Sequence, residues 1–336
     1  VSCYIFLWGD IMIKVFIDGQ AGTTGLQLKA KLLKHPHVRI IEIEESKRKD
    51  ADERKKLMNS ADVVFLCLPD AAAVEAVKLV TNPNTVVIDA STAHRTIDGW
   101  TYGFPELSAK HRENVKKAKR IANPGCHATG FISLVYPLVR EGIMPSSYPV
   151  TAHSITGYSG GGNKMIGEYE AEGRPDDYDS PRQYGLTQKH KHLPEMKKIT
   201  GLTYEPVFNP IVSDYYCGMA VSIPVHTSLL KIKKSAEELF EFYAAYYADS
   251  NFISVEKLPE NGFISPMGLE GTNCLKIYVG GNEDRVTLTA VFDNLGKGAS
   301  GAAVECMNIV LGADIDITDT ITIDEPGIYR VTCDSD

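Results

Sequence analysis

Short apolar runs alternate with amphipathic stretches over the first third of the chain. The apolar, β-branched runs predict strands at 13–18, 38–43, 63–68 and 85–89. The stretches between them, with apolar residues at helical spacing, predict helices at 24–34, 51–58 and 71–80. Run 63–68 is continuously apolar and is stopped by Pro69, as expected of a strand buried on both faces. Repeated strand–helix units predict an α/β fold with a doubly wound parallel sheet.

The second half has a different pattern, with longer predicted strands that lie closer together. These strands are expected at 149–155, 203–208, 217–225, 275–280 and 286–292, and one helix, 235–247, interrupts them. This order predicts an α+β domain with a mixed or antiparallel sheet. Segment 157–190 is rich in Gly, Pro, Asp and Tyr and is too long for a plain connector, so we expect a functional loop. A last helical pattern covers 299–311.

Composition supports this two-domain interpretation and excludes several classes. The chain has 336 residues, 43% apolar and 23% charged, which is typical of a globular protein with a sizeable core. Its formal net charge of −8 argues against a protein that coats nucleic acid. No apolar run approaches the roughly 20 residues of a membrane helix. We therefore expect neither a nucleic-acid nor a membrane partner.

Cysteine usage favours a reducing compartment. The seven cysteines include no CxxC pair and no metal-ligand spacing, so we expect neither a disulfide scaffold nor a metal site and place the protein in the cytoplasm. Residues 1–11 are apolar but lack a basic segment and a clear cleavage site, which argues against a signal peptide. Met12, directly before the first strand, is the expected start.

A glycine-rich turn follows the first strand and opens the first helix. Gly19, Gly22 and Gly25 form a G-x-x-G-x-x-G variant of the dinucleotide fingerprint. Such glycines permit a tight turn and let the backbone approach a pyrophosphate at the helix N-terminus. The strand–turn–helix context favours a Rossmann-type nucleotide site over a βα turn without a ligand.

Charged residues after the second strand bear on which nucleotide binds. Glu44 and Glu45 would suit the free 2′-hydroxyl of NAD, whereas Ser46, Lys47 and Arg48 would suit the 2′-phosphate of NADP. Both kinds of residue are present, so the residues alone leave the choice open. A solvated charged loop is a third possibility.

One cysteine stands at the start of a predicted helix. Asn123-Pro-Gly-Cys126-His-Ala-Thr-Gly130 precedes the apolar stretch 131–139, so Cys126 falls in the first helical turn. The helix dipole there is expected to lower the thiol pKa, and the free N–H groups to stabilise an oxyanion. Cys67 and Cys306 lie in apolar surroundings and fit simple burial.

A thiolate beside a nicotinamide site predicts hydride transfer to or from an acyl-thioester. This chemistry needs a proton donor, for which histidine is the usual choice. His190 and His192 follow the long loop, in the sequence His190-Lys-His192-Leu-Pro-Glu195. For either histidine, a surface position is an equal alternative.

Together these residues resemble the N-acetyl-γ-glutamyl-phosphate reductase family, in particular its short form, over nearly the whole chain from Met12. The most specific block is Asn123-Pro-Gly-Cys-His-Ala-Thr-Gly130. The long form has an aromatic residue after the cysteine, where this chain has His127, whose role stays open. The supporting matches are the glycine turn, Asp89-Ala-Ser-Thr-Ala-His-Arg95, His153-Ser-Ile-Thr-Gly-Tyr-Ser-Gly-Gly-Gly162, His190-x-His192-x-Pro-Glu195 and Asn294-Leu-Gly-Lys-Gly-Ala-Ser-Gly301.

The resemblance implies a fold and a reaction. It implies a Rossmann domain over 12–125, a catalytic and oligomerisation domain over 126–295 like that of glyceraldehyde-3-phosphate and aspartate-semialdehyde dehydrogenases, and a helix and tail, 296–336, that return to the first domain. It implies NADP(H) as cofactor, an acyl-phosphate substrate, release of inorganic phosphate, a homodimer or homotetramer, and a place in arginine biosynthesis.

The resemblance also assigns roles. Cys126 is the expected nucleophile and His192 the acid/base, with Glu195 orienting it and His190 or His127 as the alternative base. The expected cofactor contacts are Gly19, Ala21, Gly22, Thr23, Thr24, Gly25, Ser46, Lys47, Arg48 and, at the nicotinamide amide, Asn294. The expected substrate contacts are Arg95, Asn123, Ser154, Gly157 and His190.

Other functions compete with this interpretation. An aspartate-semialdehyde dehydrogenase or an aminoadipyl-phosphate reductase would use the same nucleophile and base on a different substrate. A non-catalytic NADP(H)-binding regulator would need the glycine turn but not Cys126, His192 and Arg95. The presence of all three argues against that regulator.

Overall fold

A computed structural model describes residues 12–312, and the expectations for residues 1–11 and for the tail beyond 312 lie outside it. The first part of the chain forms a parallel sheet with strand order β2-β1-β3-β4-β6-β5. Its strands are β1 (Ile13–Asp18), β2 (Val38–Ile41), β3 (Val63–Leu66), β4 (Val86–Asp89), β5 (Thr101–Tyr102) and β6 (Arg120–Ala122). Its connecting helices are α1 (Thr23–Leu33), α2 (Ala51–Ser60), α3 (Asp70–Leu79) and α4 (Ala109–Lys117).

This first sheet is the predicted doubly wound, Rossmann-type sheet. β3 and β4 are buried at every position, and two apolar clusters cover the two faces of the sheet. Parallel pairing begins with Ile13 beside Val38 on one side of β1 and Val15 beside Val63 on the other. The carboxyl ends of all these strands therefore meet at one edge, where ligands of such sheets bind.

The second sheet has strand order β11-β12-β13-β10-β7-β9-β8 and mixes parallel with antiparallel pairs. Its strands are β7 (Thr151–Gly157), β8 (Arg182–Gln183), β9 (Val207–Ser213), β10 (Met219–His226), β11 (Ile253–Glu256), β12 (Leu275–Gly281) and β13 (Arg285–Phe292). The accompanying helices are α5 (Cys126–Arg140), α6 (Gly162–Tyr169), α7 (Leu193–Thr200) and α8 (Ala236–Tyr246).

Helix α5 joins the two halves. It packs on β10 and β13 so closely that a Cβ on Gly130 would lie 2.6 Å from Val221 and 2.7 Å from Phe292. Glycine at position 130 thus lets the nucleophile helix rest directly on the second sheet. The last helix, α9 (Gly301–Leu311), follows a π-helical turn, Gly296–Ser300, and returns to pack against α1, α4 and β4.

Most predicted elements lie where the patterns placed them, and the misses have physical causes. The strand expected at 203–208 begins at Val207, because the polar residues before Pro206 form a loop. Helices α4, α6 and α7 were not predicted. α6 begins in a glycine run, and α7 has His192 at its N-cap in place of Ser, Thr, Asp or Asn, so neither carries a capping residue that marks its start. No helix within residues 12–312 is long and apolar enough to cross a membrane.

Candidate active site

Cys126 lies at the meeting point of the two sheets. Strand β6 ends at Ala122, the chain turns through Asn123-Pro124-Gly125, and α5 begins at Cys126. Gly125 is the N-cap and offers no side chain to the first helical turn, so the free N–H groups there remain available to a ligand. The partly exposed thiol lines a cavity of about 340 Å³ bounded by the glycine turn, the loop after β4, the segment 156–165, the segment 184–192 and the segment 294–299.

Close contacts at Gly125 fix the groups around this thiol. A Cβ on Gly125 would lie 2.4 Å from both Nη1 of Arg95 and Nε2 of His192. On the other side of the thiol, a Cβ on Gly298 would lie 2.8 Å from Cβ of Cys126. Glycine at 125 thus lets a guanidinium and an imidazole approach the backbone directly before the nucleophile, and glycine at 298 lets the π-helical turn approach Cys126 itself.

Glu195 holds the turn from beneath. Its carboxylate accepts hydrogen bonds from Nη1 of Arg95 at 3.0 Å, from the Tyr102 hydroxyl at 2.7 Å and from the Gly125 N–H at 2.9 Å. Within residues 12–312 no hydrogen bond joins Glu195 to His192, so any effect of Glu195 on His192 is indirect. As Glu195 lies in the first turn of α7, its side chain reaches back to the buried arginine instead.

Arg95 is committed to the protein at every nitrogen. Besides Glu195, it donates from Nε to the Asn123 carbonyl at 2.8 Å and from Nη2 to the Ala90 carbonyl at 3.0 Å. Its loop is held by Asp89, which accepts from Ser91 and binds Nδ1 of His94 at 2.6 Å. Arg95 therefore presents a fixed positive charge to the cavity, with three of its five N–H groups already donated to the protein.

Three histidines cluster beside Cys126. The His190 and His192 rings lie 4.8 Å apart, and the His127 ring lies 5.4 and 5.6 Å from them. Burial lowers the pKa of His192 well below its ordinary value, with Arg95 adding to the shift, and lowers the pKa of His190 to about 4. Nδ1 of His192 is buried without a partner in the described chain, while the His192 N–H donates to Nδ1 of His190 at 3.2 Å. Both rings are therefore neutral at pH 7.

His127 is engaged on both sides of its ring. Nδ1 shares a hydrogen bond of 2.7 Å with the Ser154 hydroxyl, and Nε2 shares one of 2.7 Å with the Tyr184 hydroxyl. Burial lowers the pKa of His127 to about 3. Both ring nitrogens of His127 are therefore occupied by hydroxyl partners, and neither is free to face the thiol. Ser154, expected to bind substrate, is buried under His127 and does not line the cavity.

The thiol itself differs from the expectation. Burial raises the pKa of Cys126, and the His127 backbone N–H, Arg95 and Lys191 only partly oppose this. The predicted lowering at the helix start is thus outweighed by desolvation in the free site. The resting pair is a thiol and a neutral imidazole.

A trough runs from this cavity along the carboxyl edge of the first sheet. Two further cavities continue it past Thr23, Thr24 and Gly22 to the loop after β2. Gly19 has φ +88°, and a Cβ there would lie 2.3 Å from the Cys67 carbonyl oxygen. A Cβ on Gly25 would lie 2.4 Å from the Gly19 carbonyl oxygen. The glycine turn thus has the shape that a dinucleotide requires, with the open start of α1 facing the trough.

The far end of the trough is basic, although not through all the expected residues. Arg48 lines it together with Lys49 and Arg54, whereas Ser46 and Lys47 do not. Lys47 pairs with Glu44 at 3.2 Å and Arg48 with Glu45 at 2.6 Å, all four largely exposed. Arg54 donates to Asp18 at 2.6 Å, and its Nε is buried without a partner in the described chain.

Other expected contacts divide into cavity walls and supports. Asn123 lines the cavity, and its Oδ1 is buried without a partner within 12–312, which leaves an acceptor for a ligand. Gly157 also lines it. Asn294 lines it too, but its Nδ2 donates to Ser159 and its Oδ1 accepts from the Gly218 N–H. Both ends of that amide are satisfied by the protein, so it holds the loop. Ala21 lines the far end of the trough.

The patterns did not single out several residues of this cavity. Tyr184 and Lys191 line it, and Tyr102 supports it through Glu195. Tyr184 comes from a long loop, and Tyr102 from a two-residue strand that no periodicity indicates. Lys191 stands between the two predicted histidines, and that position was the only available signal.

Two family models cover most of the chain. One, described as "Semialdehyde dehydrogenase, NAD binding domain", matches residues 14–117, and the other, "Semialdehyde dehydrogenase, dimerisation domain", matches 126–294. Solved structures agree in fold. Aspartate semialdehyde dehydrogenases from Vibrio cholerae and Francisella tularensis align with TM-scores of 0.67 and 0.68 over 90% and 89% of this chain and 99% and 100% of theirs, at 14% identity. Fold and cysteine site therefore define an enzyme of the semialdehyde dehydrogenase class.

Curated relatives narrow the class. An N-acetyl-γ-glutamyl-phosphate reductase 2 from Nostoc is 45% identical over 312 residues, covering 89% of this chain and 97% of the relative. N-acetyl-γ-glutamyl-phosphate reductases from Burkholderia cenocepacia and Pseudomonas putida are each 44% identical over 304 residues. Each alignment covers 89% of this chain and 97% of the relative. The chain belongs to the N-acetyl-γ-glutamyl-phosphate reductase family, as its motifs predicted.

Proposed function

We propose that this chain performs the NADPH-dependent reductive dephosphorylation of N-acetyl-γ-glutamyl phosphate to the semialdehyde, as a step of arginine biosynthesis, with Cys126 carrying the acyl group as a thioester. The observation that supports this most is the arrangement at Gly125. It places a thiol, an unprotonated imidazole and a fixed guanidinium around one open cavity at the end of a nucleotide trough.

The resting protonation states suit a thiolate that forms only when the reaction begins. Cys126 holds its proton because burial raises its pKa, and His192 is neutral because burial lowers its pKa. Transfer of the thiol proton to His192 gives a thiolate beside an imidazolium. The sulfur then bonds the acyl carbon while the carbon–oxygen bond to phosphate breaks, and inorganic phosphate leaves. Arg95 and the exposed Lys191 provide positive charge for the phosphate.

Bound NADPH would supply the hydride that reduces the thioester carbon. The N–H groups at the start of α5 stabilise the oxyanion of the resulting thiohemiacetal, and His192 exchanges the proton with that oxygen. Breaking of the carbon–sulfur bond then releases the semialdehyde and restores Cys126. In this scheme Glu195 is a positioning residue that acts through Arg95 and the Gly125 backbone, and His190 supports His192 through the backbone hydrogen bond.

The trough accommodates the NADP(H) that the scheme needs. Gly19, Gly22 and Gly25 with Thr23 and Thr24 would hold the pyrophosphate, and Arg48 with Lys49 the 2′-phosphate. An aspartate semialdehyde dehydrogenase from Candida albicans, solved with NADP, shares the fold with a TM-score of 0.60 at 15% identity over 90% of this chain and 99% of its own. The NADP bound in that structure supports NADP here by analogy of fold.

The proposal keeps the division into 12–125, 126–295 and 296–336 and a cytoplasmic homodimer or homotetramer. Both family models fall within the first two ranges, and the second is described as a dimerisation domain. The outer face of the second sheet carries exposed His153, Pro224 and His226, as a face between subunits would. Light scattering of the purified chain measures the subunit number, and a monomer at working concentration would contradict this part.

Substrate choice is tested with the reverse reaction. Phosphate-dependent NADP reduction is compared for N-acetylglutamate semialdehyde, glutamate semialdehyde, aspartate semialdehyde and an aminoadipate semialdehyde. We expect the N-acetylated five-carbon substrate to have the highest kcat/KM. A higher value for aspartate semialdehyde or the aminoadipyl compound would replace the proposal with the corresponding rival, and no turnover with any of them would favour a regulator.

A further inference from the structure

A second cavity, of about 500 Å³, lies where the two sheets adjoin, away from Cys126. It shares no lining residue with the cavity of the thiol. Its walls come from the start of α4, the end of α5, the segment after α8 and one residue of α9, Glu305. Its volume is within the range of small-molecule sites.

Buried charges form the floor of this cavity. The side chains of Glu106, Lys297 and Glu305 are only 6%, 1% and 1% exposed. Nζ of Lys297 donates to Oε1 of Glu106 and, at 2.7 Å, to Oε2 of Glu305. Nδ2 of Asn273 donates to the same Glu305 oxygen at 2.9 Å. Three ionisable groups are thus packed in the interior with only one positive charge among them.

One oxygen of this network is left over. Oε2 of Glu106 is buried and has no hydrogen-bond partner in the described chain. Leaving a buried carboxylate oxygen unpaired is costly, so native structures normally satisfy such an atom. Glu106 itself lines the cavity, and a donor placed there is the group that it lacks.

The charge balance indicates the sign of that donor. With every group ionised, Lys297 and the acid and base side chains around the cavity comprise four carboxylates and three cations, so one negative charge must be compensated, either by a proton on Glu305 or by a bound cation. The carboxylates are Glu106, Glu141, Asp249 and Glu305, and the cations are Arg112, Arg140 and Lys297. Arg140 is already paired, through Nε, with Glu141 at 3.4 Å, and Arg112 and Asp249 are exposed, so the uncompensated charge lies on the floor with Glu106, Lys297 and Glu305.

We propose that this cavity is a binding site for a small organic cation with N–H donors, an ammonium or a guanidinium, which donates to Oε2 of Glu106. Such a group supplies both the missing charge and the missing hydrogen bond. The side chains of Tyr246 and Tyr247, which line the walls, provide apolar surface for a short carbon chain. This site is independent of the proposed reaction at Cys126.

Occupation of the site has a proton signature. Burial and the neighbouring Glu106 raise the pKa of Glu305, against the opposing effect of Lys297. Without a bound cation, Glu305 therefore takes up a proton more readily than an exposed glutamate does. A cation on the floor lowers this pKa, so binding releases protons and becomes tighter as the pH rises toward the raised pKa.

The test is calorimetric titration of the full chain with n-butylammonium, and with n-butanol as the neutral match. We expect saturable binding of the ammonium with release of protons, read from buffers of different ionisation enthalpy, and no comparable binding of the alcohol. Glu106→Gln should weaken the binding roughly tenfold or more, since a charge-assisted hydrogen bond is lost. Glu141→Gln, the same change on the rim, should alter it less than about twofold.

Several outcomes would overturn the proposal. Three results would each show that water, and not a cation, satisfies Oε2 of Glu106. They are equal binding of n-butanol, no saturable binding of n-butylammonium up to roughly 10 mM, and unchanged binding by Glu106→Gln. If Glu106→Gln does not fold, Ala109→Phe serves instead, because it adds a ring on the cavity wall and leaves every charge in place. With an unchanged melting temperature, it should abolish the binding, and retained binding would contradict the site.

Discussion

Two polar segments each follow a strand: the turn that precedes Cys126, and the loop after β2. They differ in how far away in the chain their supporting residues lie. The turn at Gly125 is buried and is supported by Arg95, Glu195 and Gly298, which lie 30 to 173 residues away in the chain. The loop is exposed, and its charges pair with neighbours three residues away, Lys47 with Glu44 and Arg48 with Glu45. Exposed pairs of this kind contribute about 0–1 kcal/mol.

The difference fits what each segment has to do. Chemistry at Cys126 needs groups whose positions are fixed before the substrate arrives, since preorganised charges stabilise a transition state without reorganising. Recognition of a phosphate at the trough's far end needs only side chains that can leave weak partners for a stronger one. Buried and distant support therefore belongs to the reacting end, and local and exposed pairing to the binding end.

The largest effect is expected from removing the nucleophile. Cys126→Ser should reduce kcat by at least about 10³-fold, because a serine hydroxyl is hardly ionised at neutral pH and loss of a nucleophile removes the covalent route. Folding and NADPH binding should persist, as judged by circular dichroism and cofactor fluorescence.

Cys217→Ser is the matched control, a free and partly exposed cysteine outside the active cavity, and should retain turnover. Near wild-type turnover of the Cys126 variant would remove the assignment and, with it, the contrast between the two segments.

The next effect separates the histidines. His192→Gln should lower kcat by about 10²–10⁴-fold with little change in KM, because the acid/base is lost while the space stays filled. His190→Gln should have a milder effect, since Nδ1 of His190 only accepts a hydrogen bond from the His192 backbone N–H. Steady-state kinetics across pH measure both.

A reversed order would make His190 the base. Two mild variants would point to His127, although that ring already bonds Ser154 and Tyr184.

The same contrast explains what could be predicted from the sequence. Signals that are local in the chain were sufficient: alternating apolar runs gave β1, β3 and β4, the glycine spacing gave the turn before α1, and a Pro-Gly before an apolar stretch gave Cys126 at the start of α5. Sequence could not place Glu195 on Arg95 or Ser154 beneath His127, because those partners meet only after the two sheets pack. It also misjudged the thiol pKa, since desolvation depends on the closed cavity.

A smaller effect tests the loop. Arg48→Ala combined with Lys49→Ala should weaken NADPH roughly 10–150-fold, as expected when a charged hydrogen bond worth about 1.5–3 kcal/mol is lost. NADH, which lacks the 2′-phosphate, should be affected little. Fluorescence titration gives both dissociation constants.

Lys47→Ala is the control, because Lys47 pairs with Glu44 and does not line the trough. Equal losses for the two cofactors, or a larger loss with Lys47→Ala, would assign the phosphate to other residues.

The last prediction concerns titration of the Cys126 thiol. Below the thiol pKa, each pH unit changes the thiolate fraction about tenfold. Because burial raises the pKa of Cys126, alkylation of the free enzyme by iodoacetamide should be slow at pH 7 and should keep rising beyond the ordinary thiol pKa of about 8.5. Peptide mass analysis assigns the rate to Cys126. The nearby Glu195 carboxylate also raises this pKa, so Glu195→Gln should move the midpoint down and speed alkylation near pH 7. If the wild-type rate levels off below pH 8, the thiol pKa is lowered, as expected from its position at the helix start. If Glu195→Gln leaves the midpoint unchanged, Glu195 only holds the backbone and does not affect the thiol pKa.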